Sequence, residues 1–135
     1  STVSTRQCSA SALKHSATTW LPKMAEQHRL RRGDVWDAEL PDGMGRHSVA
    51  LLSRDTAIAR RQRVIVALIT SQIHGTRTEV PVGPEEGLEY DSVLAIDDLY
   101  TITTGRLVGR RRGVLGPDKM AAVEAALHVA LALRI

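Results

Sequence analysis

The stretch Arg32–Asp55, RGDVWDAELPDGMGRHSVALLSRD, and the run Arg63–Gln72 behind it, RVIVALITSQ, decide how this chain is read. From Asp34 the pattern has period two: Trp36, Ala38 and Leu40 fall on one side, Val35, Asp37 and Glu39 on the other, as in a half-exposed strand. Pro41-Asp42-Gly43 stops that strand, and Gly45 keeps the loop behind it flexible. Ser48–Ser53 and Val64–Thr70 are continuous apolar runs rich in branched side chains, and their length favours buried central strands over helices.

Working outward, Thr78, Val80 and Val82 alternate before a turn at Pro84-Glu85-Glu86-Gly87, and Ser92–Ile96 reads as another apolar strand. Leu99–Thr103 and Leu107–Val114 are weaker strand patterns. Gly116-Pro117-Asp118 has helix-start chemistry, because Pro is tolerated in a first turn and Asp complements the positive end of the dipole. The helix runs to Leu133, with Met120, Val123, Leu127 and Ala130 in one stripe. Ala126, Val129 and Leu133 widen that surface, leaving Lys119, Glu124, His128 and Arg134 polar, so the helix must pack. These elements predict a mainly β, α+β domain over 30–135: a small, twisted, partly open barrel with a C-terminal α-helix. Residues 1–29, rich in Ser, Thr and Ala, read as a poorly ordered extension, within which Met24 is a candidate alternative start.

At 135 residues and 43% hydrophobic content, one domain with a real core is expected. Aromatic residues are only 3% and Phe is absent, so any grip on nucleic acid is electrostatic rather than by stacking rings. A net charge of +3, with Arg outnumbering Lys, fits a phosphate-bearing partner but does not demand one. The single Cys8 excludes an internal disulfide and points to the reducing cytoplasm; no segment is apolar enough for a membrane span. The five histidines lack metal-ligand spacing and no Walker-type phosphate loop is present, so no metal or cofactor is expected.

In order and spacing, Arg32-Gly33-Asp34-Val35-Trp36, the Gly-rich loop, the second apolar strand and Ile69-Thr70-Ser71-Gln72 resemble the MazF/PemK family of toxin ribonucleases. The resemblance covers roughly Arg32–Leu133 and implies an SH3-like, CcdB-like barrel and a toxin of a type II toxin–antitoxin system. It implies an endoribonuclease that cuts single-stranded messenger, transfer or ribosomal RNA, leaving a 2′,3′-cyclic phosphate and a 5′-hydroxyl. It also implies a homodimer and a cognate antitoxin whose extended acidic segment lies along the RNA groove.

In that family an Arg-Pro before the second strand and a Thr closing the third carry the chemistry. Thr70 matches the Thr, its hydroxyl donating to a phosphate oxygen. Counting back from Asp55 without gaps sets His47 and Ser48 at the Arg-Pro positions, with Arg46 one residue earlier. Either a one-residue bulge near Gly45 restores Arg46 to the catalytic seat, or His47 takes it as general acid or base. The reading preferred from sequence has Arg46 essential and His47 assisting. Asp97 and Asp98 match the family's acidic-Gln pair on the fifth strand, and Ser71, Gln72 and Arg54 complete the expected RNA-binding set. Tyr100 stands where many relatives carry a basic residue, which predicts a different RNA preference. For Arg106 with Arg110–Arg112 a solvated face is an adequate account, and phosphate tracking is the less favoured alternative. Loss of the Arg-Pro signature leaves two rivals open: a non-catalytic toxin of the same fold that poisons DNA gyrase, and a non-catalytic nucleic-acid-binding regulator.

Overall fold

The computed structural model describes residues 30–134, so the N-terminal extension and Met24 lie outside the described residues. Residues 31–134 belong to one unit. In it six strands build a single antiparallel sheet: β1 Asp34–Leu40, β2 Gly45–Leu51, β3 Arg63–Thr70, β4 Glu79–Val82, β5 Ser92–Thr103 and β6 Leu107–Val114. Their order across the sheet is β4-β5-β3-β2-β1-β6. Helix α1, Asp55–Arg61, links β2 to β3, and α2, Pro117–Ala130, closes the chain. The mainly β partly open barrel with a C-terminal helix is thus the observed fold. No helix among the described residues is long and apolar enough to cross a membrane.

The period-two strands present two apolar faces, and both are covered. On one, Val35, Ala50, Ala67, Ile69, Val80 and Leu94 pack under Val123 and Ala126 of α2. On the other, Trp36, Val49, Leu51, Val64, Val66 and Leu107 are buried within the curl of the sheet. β1 is therefore not half-exposed as its alternation suggested: Val35 is fully buried and only Asp37 and Glu39 are partly accessible. β5 is one twelve-residue strand where the sequence suggested two. α2 stops at Ala130 rather than Leu133, because Ala132 adopts φ 54°; Val129 and Leu133 stay exposed.

The two sheet edges are brought together by the turn after β4. Gly87, at φ +87°, lies so close to β6 that a Cβ there would meet the Arg112 carbonyl oxygen at 2.0 Å. A Cβ on Gly113 would meet the Glu86 oxygen at 2.4 Å. The Arg112 Nε donates back to the Gly87 carbonyl at 3.0 Å, so two glycines and one guanidinium seal the curl. At the other end Arg32 gathers three elements: its backbone N–H donates to Asp55 at 2.6 Å, its guanidinium to the Leu52 carbonyl, and it pairs with Glu124 of α2 at 3.5 Å.

Candidate active site and nucleic-acid face

The β1–β2 ladder runs from Leu40↔Gly45 to Val35↔Ala50 without a register shift. The bulge that would carry Arg46 into the catalytic seat is not formed, and Arg46 and His47 project to opposite faces. Arg46 faces Glu39, its Nε 3.4 Å from the carboxylate and its side chain 62% exposed. His47 is half-buried, with Nε2 3.0 Å from the Met44 carbonyl oxygen. A carbonyl only accepts, so Nε2 carries the proton and Nδ1 is left for exchange with a substrate.

Which of the two meets Thr70 follows from the next ladder. β2 and β3 pair Leu51↔Val66, Ala50↔Ala67 and Val49↔Leu68, where the ladder ends. The next positions, Ser48 and Ile69, line one cavity of about 220 Å³ with Leu88, Tyr90, Ser92 and Arg112. Continued by one more residue, the register brings His47 level with Thr70, on the face of Val49 and Leu68. Thr70 pairs with Val93 of β5 and accepts the Gln72 N–H at 3.1 Å through Oγ1. Since that bond uses a lone pair, the hydroxyl proton remains to be donated. Ser71 and Gln72 are exposed immediately beside it.

The acidic pair is aimed by a bulge. Ala67 faces Leu99 and Leu68 faces Ala95, so Ile96, Asp97 and Asp98 are extra residues opposite a single step of β3. Asp97 and Asp98 line a cavity of about 190 Å³ with His74, Thr76, Thr78 and Glu79. Thr78 donates its hydroxyl to Asp97 at 2.6 Å. Across the cavity, Glu79 binds the β3–β4 loop: Oε1 accepts the backbone N–H groups of His74 and Gly75 at 2.9 and 2.8 Å, and Oε2 lies 3.1 Å from Nδ1 of His74. Burial opposes the charge of Glu79, but these hydrogen bonds, with one from the Thr76 backbone, outweigh it and hold the carboxyl below its ordinary value. Sequence reasoning passed over His74, Thr78 and Glu79. A His in a Gly-Thr loop with a Glu at the following strand start was the available signal.

Most of the basic cluster is committed to structure. Arg112 binds Asp37 at 3.1 Å, Arg111 lies 3.7 Å from Asp34, and Arg106 donates to the Glu39 carbonyl at 3.1 Å. Ser48, at the family's Pro position, donates to Asp37 at 2.9 Å. Asp34 is buried, which pushes its carboxyl above the ordinary value against the Arg31 N–H and the charge of Arg111. Arg54 is not brought to Thr70. It lines a separate basic cavity of about 320 Å³ with Arg61 and Arg63, at the other end of β3, about 23 Å from Thr70 at ~3.3 Å per residue. Tyr100 is half-buried opposite Val66. Among the described residues no three His, Cys, Asp or Glu side chains gather to hold a metal ion.

Comparisons with known proteins agree with this fold. The sequence profile of the family described as PemK-like, MazF-like toxin of type II toxin-antitoxin system matches residues 31–131. The chain is 37% identical over 101 residues to the probable endoribonuclease MazF5 of Mycobacterium tuberculosis (strain ATCC 25618 / H37Rv), covering 74% of this chain and 91% of that protein. Among solved structures it is similar to the Mycobacterium tuberculosis toxin MazF-mt6, with TM-score 0.69 and 31% identity over 76% of this chain and 99% of that one. It is also similar to an endoribonuclease from a mycobacterial species in complex with its cognate antitoxin, with TM-score 0.70 and 25% identity over 78% and 98% of the two chains. With the fold, the order of motifs and these relatives in agreement, the chain belongs to the PemK-like, MazF-like family of toxins of type II toxin–antitoxin systems, and with it to the MazF endoribonucleases.

Proposed function

We propose that this toxin cuts single-stranded RNA at a preferred sequence without a metal ion, leaving a 2′,3′-cyclic phosphate and a 5′-hydroxyl and so arresting translation and growth in the cytoplasm. The observation that carries the reading is the β2–β3 register, which on continuation sets His47 level with Thr70 on one sheet face. The Thr70 hydroxyl donates to a non-bridging phosphate oxygen, and His47 exchanges a proton through Nδ1 as the scissile bond breaks. Arg46 acts from the rim as a long-range cation rather than in the seat itself. Asp97 and Asp98 accept from the amino edge of a base, and Ser71 and Gln72 contact the backbone next to it.

The protein acts as a homodimer and is silenced by a cognate antitoxin, as its antitoxin-bound relative suggests. The exposed Val129, Leu131 and Leu133 at the end of α2 are compatible with pairing.

The test is incubation of the purified protein with a defined RNA in the presence and absence of EDTA, followed by end-group analysis. Cleavage that survives the chelator and yields the two stated ends supports the proposal, with His47→Ala reducing the rate about 100-fold and Arg46→Ala far less. Intact RNA together with inhibited gyrase, or with salt-sensitive binding alone, would return the chain to one of the non-catalytic readings.

A further inference from the structure

Resting on that reading, we propose that His74, held by Glu79, is the second proton-transfer group of the nuclease, the general base that works opposite His47. Transphosphorylation needs two proton movements: one off the 2′-hydroxyl and one onto the departing 5′-oxygen. A single histidine cannot stand at both oxygens at once, because attacking and leaving groups lie on opposite sides of the phosphorus.

His74 has the attributes of a base. Glu79 fixes the loop around it through two backbone N–H bonds on one carboxylate oxygen and turns the other oxygen to the ring Nδ1. An ionised carboxylate only accepts, so Nδ1 carries a proton and Nε2 keeps its lone pair. That ring is 70% exposed while its carboxylate partner is only 9% exposed, the arrangement of an anchored base with a free working nitrogen. Glu79 sets a carboxylate beside the ring that takes the proton, whereas the ring of His47 has a neutral carbonyl as its partner.

The sheet places Glu79, the anchor of His74, on the face that carries Thr70. Glu79 pairs with Ala95 and Ala95 with Leu68, so Glu79 stands two strands from β3, about 10 Å across at the usual strand spacing. Thr70 is the second residue along from Leu68 on the same face, and the β2–β3 register continued past its last pair, Val49↔Leu68, sets His47 beside it on the far side. The phosphate on Thr70 then lies between His47 and the loop that bears His74. The charged groups that share the cavity of His74 are Glu79 on β4 and Asp97 and Asp98 on β5, all acidic, with Arg77 on the same loop.

In the step itself Nε2 of His74 takes the 2′-hydroxyl proton as the 2′-oxygen bonds to phosphorus. The bond from phosphorus to the 5′-oxygen breaks, and His47, protonated on both nitrogens, delivers its Nδ1 proton to that oxygen. Water then restores both histidines. His74 is a catalytic residue in this scheme and Glu79 a positioning one.

The test is the pH–rate profile of RNA cleavage by wild-type protein, His74→Ala and Glu79→Gln, with binding to a non-cleavable 2′-deoxy RNA measured alongside. The expected result is a bell in wild type, a rate about 100-fold lower with the acidic limb lost in His74→Ala, and partial rescue by added imidazole. Glu79→Gln should keep the bell but displace its acidic limb, at about tenfold lower rate. Wild-type cleavage with His74→Ala retaining rate and both limbs overturns the assignment while leaving the nuclease reading intact. Weaker binding in His74→Ala with an unaltered profile also overturns it, making the loop a base reader. Wild-type protein that leaves RNA uncut overturns both.

Discussion

Replacing Thr70 by Val separates chemistry from folding, because Val keeps the branched shape that suits the end of β3 and removes only the hydroxyl. The single intramolecular bond lost is the one accepted from the Gln72 N–H, in an exposed turn where water replaces it. That costs about 0.5–1 kcal/mol of stability. If the hydroxyl holds a phosphate oxygen in the transition state, its loss costs about 2.7 kcal/mol of barrier, or about 100-fold in rate. The two figures differ enough to be told apart. Single-turnover cleavage of a fluorescent RNA in EDTA gives the second, and thermal unfolding of the same sample gives the first. Thr70→Ser, which keeps the donor, should recover most of the rate. If Thr70→Val cuts within about threefold of wild type while folded, the hydroxyl is a strand terminator and the site lies elsewhere.

Three further outcomes follow from the fold. Gly87→Ala forces a side chain onto φ +87° and against the Arg112 carbonyl, so it should destabilise by about 3 kcal/mol and lower the melting temperature by more than about 10 °C, seen by circular dichroism. Arg112→Met leaves the Gly87 carbonyl unpaired and Asp37 with Ser48 alone, a loss of about 1–3 kcal/mol in denaturant titration. The two perturbed carboxyls tilt stability in opposite directions. Glu79, lowered in the fold, contributes stability that is present above the ordinary glutamate value and lost as pH falls through its folded one. Asp34, raised in the fold, contributes stability that is present below the ordinary aspartate value and lost as pH rises through its folded one. Unfolding between pH 3 and 7 should therefore lose its acid-side slope in Glu79→Gln and its opposing slope in Asp34→Asn.

Alternation and apolar runs are local signals, and they located β1 to β4, β6 and the start of α2 from residues such as Trp36, Val66 and Pro117. The end of β3 at Thr70 was legible for the same reason, since branched apolar residues give way there to Ser71 and Gln72; its reading as a site residue came from the resemblance to the family's Ile-Thr-x-Gln. What stayed hidden depends on residues far apart in sequence. β5 read as two strands because Asp97 and Asp98 interrupt its apolar pattern, and only the pairing with β3 makes them a bulge. α1 was missed because a seven-residue helix burying just Ala57 and Ile58 has no periodic stripe. Whether one residue loops out near Gly45, and so which of Arg46 and His47 shares a face with Val49, depends on the pairing of β1 with β2, which is unshifted and which composition cannot show. His74 and Glu79 lie in and beside a loop, five residues apart, where no period marks them.

The extra residues Ile96–Asp98 lie outside the regular pairing with β3. A substitution at Asp98 therefore leaves the β3 ladder that carries Thr70 intact, whereas one at Asp97 also gives up the bond from Thr78. On the proposed reading, a lineage of such toxins can diversify its targets at such a position one substitution at a time, each variant inheriting the same strand framework.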